Sequence, residues 1–369
     1  MKASIITLHY INHYGSVLQT YATCRVFEKA GIEAEIIDYI RPNAKESEFI
    51  ENALKVKNIS KYSLKGLLYS IVKRIEAERI RRVCDVFRKT NIPMTRFYGS
   101  YKELCADPPV ADIYCTGSDQ TWNSVYNGGL LPAYYLRFAP KNKTKIGYAV
   151  SIGMDRFPPE EEIRAKKYIN EYSAISVREN SAIPTLCDLG YNCVIQVVDP
   201  TLMLCRKEWE PFISKKLVRE KYILIYKLNN LPEMEDFAEK LSKKTGCRIV
   251  RVSYYLFHMK NRGKMFWSPP VEDFLSLIDN AEYVITDSFH GLAFSLNFHK
   301  EFYAFMPGQY SSRLTSILSL TGTESRLVKN IDKYDTTPID YEKVDTVLEK
   351  ERKKALRYIV TSQPRTAAK

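Results

Sequence analysis

Apolar and polar positions in this chain follow two periods in turn. Ser4–His9 and Glu33–Tyr39 read as strands. Between them Ser16–Lys29 repeats apolar residues at helical spacing and stops at Gly31, a suitable C-terminal glycine. After a long helical stretch the rhythm resumes: strands at Asp112–Thr116, Lys145–Val150, Ala174–Val177 and Val194–Val198, helices at Glu160–Glu171 and Ser181–Leu189. A second series has strands at Tyr222–Tyr226, Arg248–Val252, Tyr283–Thr286 and Phe302–Phe305. Its helices are Pro232–Thr245, Val271–Asn280, Leu292–Asn297 and Arg313–Leu320, and a charged helix follows at Tyr341–Ile359. Strand–helix alternation predicts α/β architecture with mostly parallel sheets. A chain of 369 residues exceeds one ordinary core. The expectation is two Rossmann-like domains facing across a cleft: 1–208, 209–335, then a C-terminal helix and tail at 336–369.

Composition narrows the class. The chain is 45% apolar and 27% charged, ordinary for a globular protein, and lacks a run long enough to span a membrane. Met1–Tyr10 reads as a strand rather than a signal peptide, so a cytoplasmic protein is expected. Eight scattered cysteines without Cys-x-x-Cys pairs, and five histidines, point to reduced thiols and no metal site. The net charge of +12 is uneven. Between Lys57 and Arg96 eleven basic residues face only Glu76, Glu78 and Asp85. The same segment carries Leu64, Leu67, Leu68, Ile71, Val72 and Ile75 at helical spacing. It reads as a domain helix with a basic outer face, or as a helix resting on the inner face of an anionic membrane. Nucleic acid is not expected, because no reader motif accompanies the charge.

Polar clusters sit where strands run out, the usual ligand end of such sheets. Tyr283–Thr286 stops at Asp287-Ser288-Phe289-His290-Gly291 and a helix follows. A histidine there can hold or move a proton, and the helix start favours an anion; equally, Asp287 or Ser288 caps the helix. Asn12-His13-Tyr14-Gly15-Ser16 is either an anion or hydroxyl cradle or a plain turn capped by Ser16. Gly117-Ser118-Asp119-Gln120-Thr121-Trp122-Asn123 suits a carbohydrate, with amide and acid for hydroxyls and an indole face for a sugar ring. Arg178 can fork onto a carboxylate or phosphate, or pair with Glu179. Asp199-Pro200-Thr201 reads as structural, and Ser311-Ser312-Arg313 as a possible anion seat. Neither a dinucleotide fingerprint nor a phosphate-binding loop is present.

In order and spacing, five sets resemble the polysaccharide pyruvyltransferase family over about residues 3–320. They are Asn12…Tyr14-Gly15-Ser16…Leu18-Gln19, Gly117-Ser118-Asp119-Gln120…Trp122-Asn123, Ser176-Val177-Arg178-Glu179, Asp199-Pro200-Thr201 and Thr286-Asp287-Ser288-Phe289-His290-Gly291. The resemblance implies a fold like the GT-B glycosyltransferases. It also implies transfer of a pyruvate unit from phosphoenolpyruvate to two hydroxyls of a sugar, free or lipid-linked, leaving a ketal and needing no cofactor. In that reading His290 is the acid and Asp119 or Asp287 the base. Arg178, Arg313 and Lys227, with Ser288 and Gly291, hold the donor. Asn12, Tyr14, Gly15, Ser16, Gln120, Trp122 and Asn123 face the acceptor. The sequence departs from the family at Ser288, where many members carry an arginine. A nucleotide-sugar glycosyltransferase and a non-catalytic binder of anionic polymer or membrane are the alternatives.

Overall fold

A computed structural model describes residues 1–41, 54, 60–154, 156–306 and 312–364; Lys57 and Ser311, named above, lie outside them. The first domain holds a seven-stranded sheet in the order β3-β2-β1-β4-β5-β6-β7. Its strands are β1 (Lys2–Ile6), β2 (Glu33–Tyr39), β3 (Met94–Tyr98), β4 (Ile113–Thr116), β5 (Thr144–Val150), β6 (Ala174–Val177) and β7 (Val194–Gln196). The second holds a five-stranded sheet in the order β10-β9-β8-β11-β12: β8 (Tyr222–Tyr226), β9 (Arg248–Ser253), β10 (Lys264–Trp267), β11 (Tyr283–Thr286) and β12 (Glu301–Ala304). Each paired strand runs parallel to its neighbour. Helices cover both faces, so β4 and β8 are buried along their whole length and β8 is apolar throughout. The expected pair of Rossmann-like sheets is therefore observed.

Two edge strands, β3 and β10, appear beyond those the sequence pattern predicts. Helical character was extended through the basic segment, but Pro93 ends the helix and Met94-Thr95-Arg96-Phe97-Tyr98 pairs along β2 as β3. Lys264–Trp267 similarly pairs with β9. Edge strands carry little of the apolar signature that marks central ones.

The domains are joined by packing as well as by chain. Helix α1 (Tyr14–Lys29) sends Tyr14 onto Phe274 of the second domain, rings 4.2 Å apart and 6° from parallel, and the Tyr14 hydroxyl donates to the Pro269 carbonyl at 2.6 Å. Helix α2 (Leu64–Asn91) starts at Ser63, whose hydroxyl accepts from the Gly66 amide at 3.0 Å. Its second half turns Ile80, Cys84 and Phe87 inward. The final helix, Tyr341–Thr361, returns to the first domain: Tyr358 donates to the Gly147 carbonyl at 2.7 Å, and Arg352 Nε to the Leu202 carbonyl at 2.7 Å. No helix among the described residues is long and apolar enough to cross a membrane.

Candidate active site

In each sheet the strand order reverses once, between β1 and β4 in the first and between β8 and β11 in the second. Connections leave such a point in opposite directions and open a crevice at the carboxyl ends of the strands. Residues from both reversals meet: the His13–Gly15 and Ser118–Asp119 turns from one side, Tyr226 and the Asp287–His290 turn from the other.

The turn after β11 is locked by its own side chains. Thr286 Oγ1 donates to the Tyr226 carbonyl at 2.7 Å and accepts from the Ser288 amide at 3.0 Å. Ser288 caps α3 (Phe289–Asn297), its hydroxyl accepting from Gly291 N at 3.3 Å. A Cβ on Gly291 would fall 2.4 Å from Thr286 Oγ1, so glycine is required for the turn to close. His290, on the first turn of α3, is thereby aimed at the first turn of α1. A Cβ on Gly15 would lie 2.0 Å from His290 Nδ1. The two helix starts meet face to face because Gly15 has no side chain.

Around His290 lies a buried charged cluster. Arg178 Nη1 donates to Asp199 Oδ2 at 2.6 Å, and Arg178 Nη2 lies 3.6 Å from Asp119 Oδ1. The Arg178 guanidinium also sits over the Phe289 ring, 4.9 Å from its centroid. Asp199 Oδ1 accepts from the amide and hydroxyl of Thr201 at 2.9 and 2.7 Å, and Asp199 Oδ2 lies 3.9 Å from His290 Nε2. Burial is the largest influence on Asp119 and Asp199 and works against their charge, but Arg178, His290 and hydrogen bonds, with Arg313 beside Asp119, together outweigh it and hold both carboxyls below their usual range. Asp119 has φ +78°, uncommon for a non-glycine residue, fixed by its carbonyl accepting from Thr121 N and Ser151 N at 2.7 and 3.0 Å.

Among the described residues, four buried donor positions in this cluster lack a hydrogen-bond partner: Arg178 Nε and Nη2, Arg313 Nε and His290 Nε2. Burial lowers the pKa of Arg313, and neighbouring Arg178 lowers it further. Burial likewise brings His290 down to about 4: Asp199 opposes this and Arg178 adds to it, so the ring is neutral near pH 7. The space enclosed by Arg178, Asp199, Phe289 and Arg313 is about 10 Å³, room for roughly one water.

Three ring side chains extend the site. His13 Nδ1 accepts from Gly15 N at 3.0 Å and so caps α1, which leaves the proton of the neutral ring on Nε2. Nε2 faces the Tyr226 hydroxyl at 3.1 Å, and that hydroxyl lies 2.8 Å from the Tyr254 hydroxyl. The His13 and His290 rings are 6.3 Å apart. Burial, with His290 second, takes His13 down to about 3.

Several expected site residues have other work. Trp122 has no exposed surface: it stacks on Tyr135 at 5.3 Å and donates Nε1–H to the Tyr134 carbonyl at 3.0 Å, so its face cannot receive a sugar. Asn123 caps Ser124–Asn127 by accepting from Tyr126 N at 2.9 Å, and its amide donates to Gln120 Oε1 at 3.3 Å. Tyr14 is the domain anchor described above. Ser16 donates to the Leu8 carbonyl at 2.6 Å, and Asn12 accepts from Arg88 Nη2 at 3.1 Å. Asp287 accepts from Leu228 N at 2.7 Å, and from Asn229 N and Nδ2 at 2.9 Å each, which makes it a clamp on the loop after β8 rather than a base. Lys227 pairs with Glu235 at 2.5 Å, a carboxylate it shares with Arg251. Its charge is therefore answered away from the cluster. Of the expected set, His290, Arg178, Arg313, Asp119, Gly15, Ser288 and Gly291 are the ones that build it.

Asp199, Tyr226 and Tyr254 join the crevice without being expected there, and His13 joins it through its ring. Asp199 was read as a structural turn, and it does bind Thr201, but its second oxygen belongs to the cluster. His13 stands in the cluster expected to cradle an anion or hydroxyl, but it acts as the N-cap of α1 and turns its other ring nitrogen to Tyr226. The tyrosines end strands or follow them and carry no sequence signal of their own. Glu179, expected as a partner of Arg178, instead accepts from Ser151 Oγ, Ile152 N and Gly153 N at 2.9, 2.9 and 3.1 Å.

The family model described as polysaccharide pyruvyl transferase matches residues 13–308, a span that holds all four strand-end turns of the crevice. No curated protein matches the sequence. Among solved structures, the UDP-GlcNAc 2-epimerase of Methanocaldococcus jannaschii is 15% identical with a TM-score of 0.47, covering 95% of this chain and 92% of its own. The Neisseria meningitidis UDP-GlcNAc 2-epimerase bound to UDP-GlcNAc is 13% identical at 0.46, covering 98% and 97%. The E. coli heptosyltransferase is 12% identical at 0.39, covering 83% and 88%. Likeness this distant leaves the fold resting on the two sheets themselves.

Proposed function

This chain belongs to the polysaccharide pyruvyl transferase family, and on that premise we propose that it moves the pyruvate unit of phosphoenolpyruvate onto two hydroxyls of a sugar acceptor. The observation that carries the reading is the set of buried, unpartnered donors: Arg178 Nε and Nη2, Arg313 Nε and His290 Nε2. Buried guanidinium N–H groups without partners are costly, and an anion relieves both that cost and the repulsion between the two arginines. A ligand with a carboxylate at one end and a phosphate at the other supplies two such anions. Arg178 and Arg313 thereby replace the motif arginine that Ser288 does not provide.

The donor's charge also sets the acid. His290 is neutral while the site holds only its own side chains; a polyanion beside it raises its pKa, so donor binding takes up a proton. His290 then protonates the methylene carbon. The resulting cationic C2 is attacked by a sugar hydroxyl, whose proton returns to His290 or passes to Asp119. The C2–O bond to phosphate breaks with its electron pair leaving on phosphate. A second hydroxyl closes the ketal and loses its proton to the departing phosphate or to water. No cofactor enters this sequence. Arg178 and Arg313 balance negative charge throughout.

The test is phosphate release from phosphoenolpyruvate with a panel of galactosides and glucosides, read with mass spectrometry of the sugar. The expected result is a pyruvate ketal, and a loss of about 100- to 10,000-fold in His290→Gln with the fold retained. Calorimetry in buffers of different ionisation enthalpy should show proton uptake on donor binding. Near-normal turnover in His290→Gln sinks the assigned acid. No transfer together with no thermal stabilisation by phosphoenolpyruvate sinks the donor.

A further inference from the structure

Helix α2 changes face halfway along. From Ile80 onward it is ordinary, with Ile80, Cys84 and Phe87 inside and Arg81, Arg82 and Lys89 outside. From Leu64 to Ile75 it is reversed. The residues turned inward are Gly66, Lys73 and, just beyond, Glu76. Lys73 pairs with Glu76 at 2.6 Å and lies 4.3 Å from the centre of the Tyr255 ring; Glu76 Oε1 accepts from Leu256 N at 2.7 Å. The residues turned outward are Leu64, Leu67, Leu68, Ile71, Val72 and Ile75, between 38% and 75% exposed, with Tyr62 open at the helix start. Six large aliphatic side chains at i, i+3, i+4, i+7, i+8 and i+11 form one continuous stripe about 18 Å long. A water-soluble surface rarely leaves such a stripe in contact with solvent.

The flanking charge identifies what covers it. At 100° per residue Lys65 and Arg74 fall on the two shoulders of the stripe, and both are exposed. In a second copy packed antiparallel on this face each edge would carry two like charges, with no acid among residues 64–75 to answer them. An anionic lipid surface takes the aliphatic residues into its acyl boundary and leaves both cations among its headgroups. The inward side of the same half-helix touches Tyr255 and Leu256, the residues directly after Tyr254 of the crevice.

We propose that the Leu64–Ile75 face of α2 docks this protein on an anionic membrane, with the crevice beside the lipid surface. The docking itself stands on the helix; that it serves a lipid-linked acceptor rests on the pyruvyl-transfer reading above. The basic charge of the 57–96 segment at Arg79, Arg81 and Arg82 is not what makes this contact. Those charges are engaged within the protein: Arg79 donates to the Trp267 carbonyl at 2.8 Å, and Arg81 and Arg82 bind Glu78 at 2.7 Å each. The aliphatic stripe and its two shoulder cations carry the contact instead.

The experiment is co-sedimentation of the full chain with vesicles of phosphatidylcholine mixed with phosphatidylglycerol, and with vesicles of phosphatidylcholine alone. Wild type should bind the mixed vesicles, at least about tenfold more weakly without the anionic lipid. Leu67→Ser/Leu68→Ser/Ile71→Ser should lose binding to mixed vesicles by at least about tenfold. Lys65→Glu/Arg74→Glu should lose the preference for anionic lipid. All these side chains face outward, so melting temperature and transfer to a soluble sugar should not change, which keeps a failure of docking separate from a failure of chemistry. Wild type that ignores mixed vesicles, or a triple-serine variant that binds them as well as wild type, overturns the proposal. So does a wild-type dimer that the triple-serine variant converts to monomer while neither binds vesicles.

Discussion

Two connections of similar make-up end differently. Residues 117–123 and 286–291 both leave a buried strand, both are rich in polar side chains, and both lead into a helix. In the first, Asn123 binds Gln120 while Trp122 binds the Tyr134 carbonyl, so these groups hold the loop in shape, and Ser118 and Asp119 reach Arg178 in the crevice. In the second, Thr286, Ser288 and Asp287 hold the turn, and His290 is left with Nε2 unpartnered. A polar loop supplies chemistry through the groups its own structure leaves unsatisfied. Composition does not reveal which ones those are.

The largest expected effect tests the loop reading. Trp122→Ala should cost about 3–5 kcal/mol of stability in urea unfolding, as a fully buried and stacked indole does. The milder Trp122→Phe should leave the acceptor KM unchanged. A raised KM at unchanged stability would return Trp122 to the acceptor site and dissolve the contrast.

Next is the pH response of the turn. His290 has a folded pKa of about 4 against 6.5 for the free side chain, so between these values the unfolded chain binds a proton that the folded one refuses. Stability should therefore fall as pH drops from about 6.5 to about 4, and this residue's share is up to about 3 kcal/mol. His290→Gln should remove that share, visible as a flatter curve in parallel melts. Identical curves for the two proteins would mean that the ring is not held neutral.

Smaller again is Gly15→Ala, which sharpens the meeting of the two helix starts. The new methyl would overlap His290 Nδ1 and force the ring aside. Turnover should drop about 100-fold while donor affinity, carried by the arginines, changes little. Wild-type turnover would show that the ring acts from some other position.

Much of the fold was legible because central parallel strands announce themselves. Tyr222–Tyr226, buried throughout, leaves no other reading, whereas Lys264–Trp267 at an edge carries no such mark. The site was legible where a residue's chemistry is its own, as with His290, Arg178 and Arg313. It was not legible where the role depends on a distant partner. Asp287 and Asp199 look alike in sequence, each at the end of a strand. Backbone amides of the loop after β8 occupy one, and Arg178 recruits the other. Lys227 was misread for the same reason, since nothing local announces that Glu235 answers it.

The chain crosses between the domains twice, once after β7 and once through the final helix, and the two crossings touch where Arg352 grips the Leu202 carbonyl. They form the spine of a book. Tyr358 pins the same helix again, donating to the Gly147 carbonyl of β5. A spine pinned at Leu202 and Gly147 holds the two sheets in one register, the register in which His290 meets the bare spot at Gly15. The meeting of the two helix starts is thus backed far from the crevice, by a helix that contributes no side chain to it.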